Sequence, residues 1–127
     1  GKIKPKKLTT PVHIIDWFPT LASVVGHQKA RDYQLDGLDL SPVVFKYRQL
    51  QPRDLYWIWD NTINRWALRY GDWKIVKYGK GEPAKEEWSL YNLKDDPAEK
   101  NNLAKSHPEK VKELHERFLV QRAKDAK

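Results

Sequence analysis

The 127-residue sequence contains no cysteine and no methionine. The lack of cysteine excludes disulfide bonds, zinc–thiolate sites and a cysteine nucleophile within the chain. No run approaches the roughly 20 consecutive apolar residues of a membrane-spanning helix, and no apolar signal segment follows the basic start of the chain. We therefore expect no membrane partner. The absence of methionine, including an initiator, favours a fragment or a processed product over a complete gene product.

The composition indicates a folded chain with an aromatic core. Hydrophobic residues make up 39% of the sequence, which is enough to bury a core, and six Trp and six Tyr are among them. The formal net charge is +7, but four lysines within residues 2–7 leave only 7 − 4 = +3 for the rest. A basic, tryptophan-rich chain can bind nucleic acid. Because the remaining charges are of mixed sign, as on an ordinary solvated surface, we expect no nucleic-acid partner.

The first predicted element is a short apolar helix over residues 17–25. Asp16 is placed to act as its N-cap, Pro19 is tolerated in the first turn, and Gly26 is placed to end it. Apolar residues lie on more than one side of this helix, so other elements should bury it. The stretch that follows, residues 27–52, is typical of a connection, with a short helical turn near residues 43–47.

The second half of the chain predicts a small sheet and a closing helix. Four strands are expected over residues 55–60, 66–70, 73–78 and 88–93, with Gly71 and Asp72 as a tight hairpin turn. Ser106 and Glu109 have the spacing of a capping box at the start of the helix. Its apolar stripe contains Val111, Leu114 and Phe118. The pattern predicts an α+β fold, in which an antiparallel sheet of about four strands is packed by a C-terminal helix.

Catalytic and metal-ligating residue types are present, but their spacing indicates no site. His107 and His115 are roughly two helical turns apart, too far to chelate one ion by themselves. His13 precedes the apolar helix and is interpreted as structural. Asp36 and Asp39 flank a glycine, as turn and capping groups do.

The strongest binding candidate is the polar segment between the first two strands, with the tryptophan before it. It combines a carboxylate, planar amides and a guanidinium, which hydrogen-bond sugar hydroxyls or pair an anion bidentately. An ordinary polar hairpin loop is the alternative interpretation. The candidate substrate-binding residues are Trp59, Asp60, Asn61, Asn64 and Arg65.

Four segments, in order and spacing, resemble the C-terminal portion of arylsulfatases. The first two are residues 12–26 (VHIIDWFPTLASVVG) and 35–42 (LDGLDLSP). The other two are residues 67–76 (ALRYGDWKIV) and 89–104 (SLYNLKDDPAEKNNLA). Together they span nearly the whole chain, and the last pattern is quite specific.

The resemblance implies a parent enzyme of the alkaline-phosphatase superfamily with two domains. Residues 1–45 would be the end of its N-terminal α/β domain, to which the apolar helix belongs, and residues 46–127 its C-terminal subdomain. Sulfatases of this kind use a calcium ion and a formylglycine made from the Cys or Ser of a C/S-x-P-x-R motif. The pair Ser41-Pro42 lacks that pattern. The resemblance therefore assigns no catalytic residue, metal ligand or cofactor to this chain and places calcium and formylglycine in the missing N-terminal part.

The function implied is hydrolysis of sulfate esters, aryl or carbohydrate, by the parent protein. The chain itself is then expected to be inactive and structural, with a substrate-selecting loop. Its partners would be the N-terminal catalytic domain and a sulfated small molecule or sugar, in a periplasmic, secreted or lysosomal-type compartment. Two alternatives remain open: a stand-alone tryptophan-rich module that binds carbohydrate or nucleic acid, and a phosphoester or phosphonate hydrolase of the same superfamily.

Overall fold

The computed structural model describes residues 7–27, 35–60, 65–79 and 87–125. The chain divides into two compact units, Gly1–Gln51 and Pro52–Lys127. The first unit contains a 3-10 turn, Ile14–Asp16, and two helices, α1 (Trp17–Val24) and α2 (Ser41–Lys46). The second contains β1 (Asp54–Asp60), β2 (Arg65–Tyr70), β3 (Trp73–Lys77), β4 (Ser89–Asn92) and α3 (Pro108–Asp125). None of the helices in these ranges has the length and apolar character to cross a membrane.

In the first unit, two polar side chains of the helical segment hold the strand-like stretch that precedes α2. The carboxylate of Asp16 is fully buried and accepts a hydrogen bond from the backbone N–H of Leu38 at 2.9 Å. One turn later, the Thr20 hydroxyl accepts from the N–H of Leu40 at 2.8 Å and donates to the Asp16 carbonyl at 2.6 Å. Buried backbone donors are thereby satisfied.

The role predicted for Asp16 differs from the one observed. It does stand at the N-cap position of α1, but its side chain makes no capping bond to that helix. Instead the carboxylate accepts from the backbone N–H of His13 at 2.8 Å and closes the preceding 3-10 turn, an element that the sequence did not predict. The reason is that Leu38 approaches from a distant part of the chain and takes the second oxygen.

The second unit is a four-stranded antiparallel meander in the order β1-β2-β3-β4. The predicted strands agree with the observed ones to within a few residues at each end. Gly71 has φ +60° in the turn between β2 and β3, a backbone conformation that glycine adopts without strain. The predicted α+β class is confirmed, with the C-terminal helix packed on the sheet.

The core lies between one face of the sheet and α3. Strand alternation places Trp66, Leu68 and Ile75 on this face, where they are almost completely buried. The helix contributes Leu114 and Phe118, both at 0% exposure, as its apolar stripe predicts. The Phe118 ring lies 5.4, 6.0 and 5.0 Å from the rings of Tyr56, Trp66 and Trp88. One aromatic side chain thus joins β1, β2 and the residue before β4.

Arg117, the residue before Phe118 on α3, is half-buried against the sheet. Its guanidinium lies 3.6 Å from the centre of the Tyr70 ring and 3.2 Å from the Asp54 carboxylate. A long side chain can cover apolar surface with its stem while its charged end finds a partner. Helical periodicity predicts the direction in which a side chain leaves the helix. Which groups a long side chain contacts depends on the elements packed beside the helix.

The loop between β4 and α3 closes the outer edge of the sheet. The Asn102 side chain accepts from the N–H of Leu90 at 3.0 Å, and the Leu103 N–H donates to the Leu90 carbonyl at 2.8 Å. These bonds cover part of an edge strand, which would otherwise present unpaired groups to other chains. The sequence predicted Ser106 as the N-cap of α3, but the helix begins at Pro108 and its first backbone bonds go to the His107 carbonyl. Ser106 therefore precedes the cap, and its hydroxyl donates to the Leu103 carbonyl at 3.0 Å.

Candidate functional site

The described part of the second unit contains a groove at one end of the sheet. It encloses about 450 Å³ and is lined by Trp57, Trp59, Arg65, Trp66, Ala67, Lys74, Val76, Lys77 and Tyr78. The strands are antiparallel, so the end of β1, the start of β2 and the end of β3 meet there. The volume lies within the range of roughly 300–1,000 Å³ found for small-molecule sites. We call this surface the aromatic groove.

Most side chains of the aromatic groove belong to the sheet face opposite to α3, whereas Trp66 and Lys77 belong to the core face. Because side chains alternate along a strand, Trp57 points away from the core side on which Tyr56 and Ile58 lie. A register shift between Ile58 and Asp60 marks a bulge at Trp59, a device that redirects side chains. Ala67 pairs with Trp57 on one side and with Val76 on the other. Its small side chain leaves room between larger neighbours, which produces the floor of the groove.

The three cations of the lining differ in their surroundings. The Lys74 ammonium forms an ion pair with Glu99 at 2.6 Å, and both side chains are largely buried. Lys77 is 1% exposed on the core face and lies 5.0 Å from the centre of the Trp66 ring. Arg65, at the start of β2, is exposed. Of these three charges, the guanidinium of Arg65 is therefore the one that an incoming ligand can reach.

The structure brings together two of the five residues that the sequence proposed for substrate binding. Trp59, with 81% of its surface exposed, and Arg65 both line the aromatic groove. Asp60 pairs with Arg65 in the strand ladder, but its side chain lies outside the described residues. Asn61 and Asn64 also lie outside them. The assignment of all five to substrate binding stays a prediction.

Sequence reasoning missed the far wall and the floor of the groove. Tyr78 follows β3 and is 65% exposed, and Trp57 forms part of the wall. The alternation of Trp57 and Trp59 along one strand carried a signal, because residues two apart share a face. A single small residue, Ala67, between larger ones on the next strand was the second signal. Only the pairing of β1 with β2 shows that the two tryptophans and Ala67 lie side by side.

The tryptophans do not form a continuous stacking platform. Trp66 and Trp88 are 4% and 6% exposed within the core, and Trp73 contacts the ring of His107 at 5.5 Å. Only Trp57 and Trp59 of this group line the aromatic groove without belonging to the core. The buried rings stabilise the fold, which removes most of the physical basis for a module that binds through its many tryptophans.

The described histidines and acidic side chains of the motifs have structural contacts. His13 Nδ1 accepts from the Ile15 N–H at 3.4 Å as the cap of the 3-10 turn. Asp39 accepts from the backbone N–H and the hydroxyl of Ser41, two residues on, and so acts as a turn group before α2. Asp96 accepts from the Asn101 N–H at 2.8 Å, and such backbone hydrogen bonds lower its pKa.

His115 lies on α3 beside the rings of Trp88 and Phe118, and its Nε2 atom is buried without a hydrogen-bond partner among the described residues. Burial lowers the pKa of His115, and the neighbouring Lys77 charge lowers it further, while Glu116 acts in the opposite direction. The imidazole is thus held neutral in the folded protein. Its role is packing.

A pH-dependent stability follows from His115. In the folded protein the pKa of His115 lies below its ordinary value of about 6.5. As the pH falls, His115 therefore takes up a proton in the unfolded chain before it does so in the folded protein. The free energy of unfolding decreases below that pH. We expect His115→Phe, which keeps a ring at this place, to reduce the loss of unfolding free energy between about pH 7.5 and about pH 5.5. Urea unfolding of the wild type and of His115→Phe at both pH values measures this change in unfolding free energy. A difference between them that does not change with pH would contradict the assignment.

The described residues do not fit a metal centre. No group of three or more His, Cys, Asp or Glu side chains is placed there to hold an ion. The sequence also contains no C/S-x-P-x-R motif from which a formylglycine could be made. We therefore derive no chemical step through calcium or formylglycine from these residues.

Comparison with known proteins places the chain among sulfatases. It is 34% identical over 91% of its length to an N-acetylgalactosamine-6-O-sulfatase of Bacteroides thetaiotaomicron and covers 24% of that protein. It is 27% identical over 84% of its length to arylsulfatase J of Mus musculus and covers 25% of it. The chain thus spans about a quarter of the length of these relatives. No family model matches it.

The fold leads to the same family. A Bacteroides thetaiotaomicron protein labelled 6S-sulf, solved in work on the metabolism of multiple glycosaminoglycans, superposes with a TM-score of 0.66 and 31% identity. The match covers 98% of this chain and 27% of that protein. The similarity in sequence and in fold extends over nearly all the elements described above. The chain is therefore homologous to the C-terminal portion of the sulfatases and belongs to that family.

Proposed function

We propose that this chain is the C-terminal part of an enzyme that hydrolyses sulfate esters of carbohydrates. The observation that carries the proposal is the 34% identity, over 91% of the chain, to a protein described as an N-acetylgalactosamine-6-O-sulfatase. The likeness to a protein from glycosaminoglycan metabolism favours sugar sulfates over simple aryl sulfates as substrates.

In this proposal residues 1–45 end the N-terminal α/β domain of the parent, and residues 46–127 form its C-terminal subdomain. The exposed apolar side chains of the first unit support an N-terminal catalytic domain as their partner. Among the described residues of this unit, the large apolar side chains with more than 50% of their surface exposed are Val12, Ile14, Trp17, Phe18, Leu21, Val24 and Val25. Such a concentration of exposed apolar residues marks a surface that another protein body covers.

The catalytic groups of the parent are proposed to lie outside this chain. A calcium ion would neutralise the sulfate, and a formylglycine would supply the nucleophile, both in the N-terminal part. The residues of this chain would then act by packing and by contacting substrate. The compartment proposed for the parent is periplasmic, secreted or lysosomal-type, as in the family it resembles.

The segment of residues 60–65 is proposed to select the substrate. With Trp59 it offers an aromatic face, a carboxylate, amides and a guanidinium to a sugar. The exposure of Trp59 and Arg65 beside the aromatic groove supports this role, because neither side chain is committed to the core. Asp60, Asn61 and Asn64 complete the proposed set.

An activity assay tests the proposal with two polypeptides, the 127-residue chain and the parent protein that contains it. We expect the parent to release sulfate from 4-nitrophenyl sulfate and N-acetylgalactosamine 6-sulfate, and the chain alone to release none. Replacing the first residue of a C/S-x-P-x-R motif in the parent by alanine should abolish turnover. Turnover by the chain alone, or a parent that cleaves 4-nitrophenyl phosphate but no sulfate ester, would contradict the proposal.

A further inference from the structure

Three features of the aromatic groove define the chemistry of what it can bind. Its lining is mainly aromatic and apolar, with Trp57, Trp59, Val76 and Tyr78 around the small Ala67. One wall is an indole with 81% of its surface in water. A largely apolar cleft with few polar groups is the usual form of a small-molecule site. The occupant must therefore have an apolar face.

The charge at the groove identifies a second property of the occupant. Arg65 is exposed, whereas Lys74 is paired with Glu99 at 2.6 Å and Lys77 is buried over Trp66. A guanidinium presents its donors in a planar fork that pairs carboxylate or sulfate groups bidentately. The groove is therefore suited to one anionic group beside an apolar face. A sugar ring with an acidic substituent has both, since its C–H face stacks on an indole.

We propose that the aromatic groove binds an acidic sugar unit, so that the substrate of the parent is a polyanionic oligosaccharide. The inference rests on the proposed function, because the sulfate that is cleaved is held by catalytic groups outside this chain. The anion held by Arg65 is then a different one, a carboxylate or a sulfate on another unit. Trp59 and Arg65 are thus specificity-determining residues for longer substrates.

A single-stranded nucleic acid also combines flat rings with anions, but the groove favours a sugar. Proteins that bind single strands follow the phosphate backbone with several cations along a channel. Among the described residues, three cations line the aromatic groove, and of these only Arg65 is exposed. One accessible charge beside one accessible indole matches a single acidic sugar unit better than a run of phosphates.

Binding to the full 127-residue chain provides the first test. The probe is a hexasaccharide of chondroitin 6-sulfate, which alternates a uronate with a 6-sulfated sugar, and binding is measured by calorimetry. We expect Arg65→Gln and Trp59→Ala each to weaken binding by about tenfold or more. Lys112→Gln and Val120→Ala, at exposed positions of α3, are the matched controls and should leave the affinity unchanged.

Two further probes distinguish the ligand classes. A neutral hexasaccharide of N-acetylglucosamine should bind at least about tenfold more weakly than the acidic one, and Arg65→Gln should abolish that difference. An oligothymidylate of similar length should not compete. If the oligothymidylate binds through Trp59 and Arg65 more tightly than the sugar, or if no variant of the groove changes sugar binding, the inference is wrong.

Kinetics of the parent separate this inference from the proposed function. Arg65→Gln in the parent should raise KM for the hexasaccharide about tenfold more than it raises KM for N-acetylgalactosamine 6-sulfate, whereas the control Lys112→Gln should change neither value. Equal effects on both substrates would overturn the inference while the sulfatase assignment stands. The opposite result is a parent that has no sulfatase activity although the 127-residue chain binds the acidic hexasaccharide through Arg65. That result would contradict the proposed function but not the binding of acidic sugars by the groove.

Discussion

Replacing Phe118 by alanine is expected to lower the free energy of unfolding of the second unit by about 3–5 kcal/mol. The ring is completely buried and touches the rings of Tyr56, Trp66 and Trp88, at centroid distances of 5.4, 6.0 and 5.0 Å. Its removal leaves a cavity among rigid aromatic neighbours, which cannot move together without breaking strand pairing. Small domains have total stabilities of about 5–15 kcal/mol, so this loss is a large fraction of the free energy of unfolding.

The adjacent residue of α3 provides the control for this prediction. Leu119 is 45% exposed, and Leu119→Ala should change stability by less than about 1 kcal/mol. Urea unfolding is followed by near-ultraviolet circular dichroism, which reports the packing of the buried Trp66 and Trp88. Phe118→Leu should fall between the wild type and Phe118→Ala because it leaves a smaller cavity. Equal stabilities of Phe118→Ala and Leu119→Ala would show that the core does not depend on this ring.

Gly37→Ala is expected to destabilise the first unit by about 3 kcal/mol. A Cβ atom at this position would lie 2.1 Å from the carbonyl oxygen of Ile15 and 2.6 Å from its carbonyl carbon. Both are backbone atoms, so no side-chain rotation can relieve the overlap. The segment would have to move away from Asp16, which would stretch the hydrogen bond from Leu38.

Gly26→Ala separates this steric effect from the usual cost of replacing a glycine. Gly26 has φ +73°, and a Cβ atom there would meet no other atom within 4 Å, so its replacement should cost only about 1 kcal/mol. Thermal unfolding compares the two variants. Amide hydrogen exchange adds a local measure, since the Leu38 and Leu40 N–H groups should lose protection only in Gly37→Ala. Loss of protection in both variants would contradict the steric explanation.

These contacts explain what the arylsulfatase-like segments do in this chain. Residues 12–26 and 35–42 are separate in sequence, yet Asp16 and Thr20 of the first hold Leu38 and Leu40 of the second. Residues 67–76 and 89–104 are joined in the same way, because Lys74 of β3 pairs with Glu99 in the later loop. The segments that carry the resemblance therefore contain residues that hold the fold together.

The order and type of the larger elements were predictable because they depend on local patterns. Aromatic and β-branched runs separated by turn residues predicted β1 to β4, and the spacing of Val111, Leu114 and Phe118 predicted the buried face of α3. The turn at Gly71 was predictable because the conformation of a tight turn depends only on the residues next to it. The Trp59 and Arg65 candidates came from residue type and from their place at a hairpin.

Local capping was predicted less well, because a polar side chain can bond to several neighbouring or distant backbone groups. The Ser106 hydroxyl bonds to the Leu103 carbonyl, and the Asp16 carboxylate bonds to His13 and Leu38 rather than to α1. A carboxylate or hydroxyl satisfies whichever donor or acceptor the fold brings to it. Sequence spacing alone does not contain that information.

The sequence by itself determined the fold class, the position of each major element and the membership in the sulfatase family, since all of these follow from residue patterns along the chain. Only the tertiary structure decided which charges and rings remain accessible. Lys74 is paired with Glu99, Lys77 lies over Trp66, and Arg65 stays exposed beside Trp59. The physical reason is that burial and ion pairing depend on strand register and on packing between residues far apart in the chain.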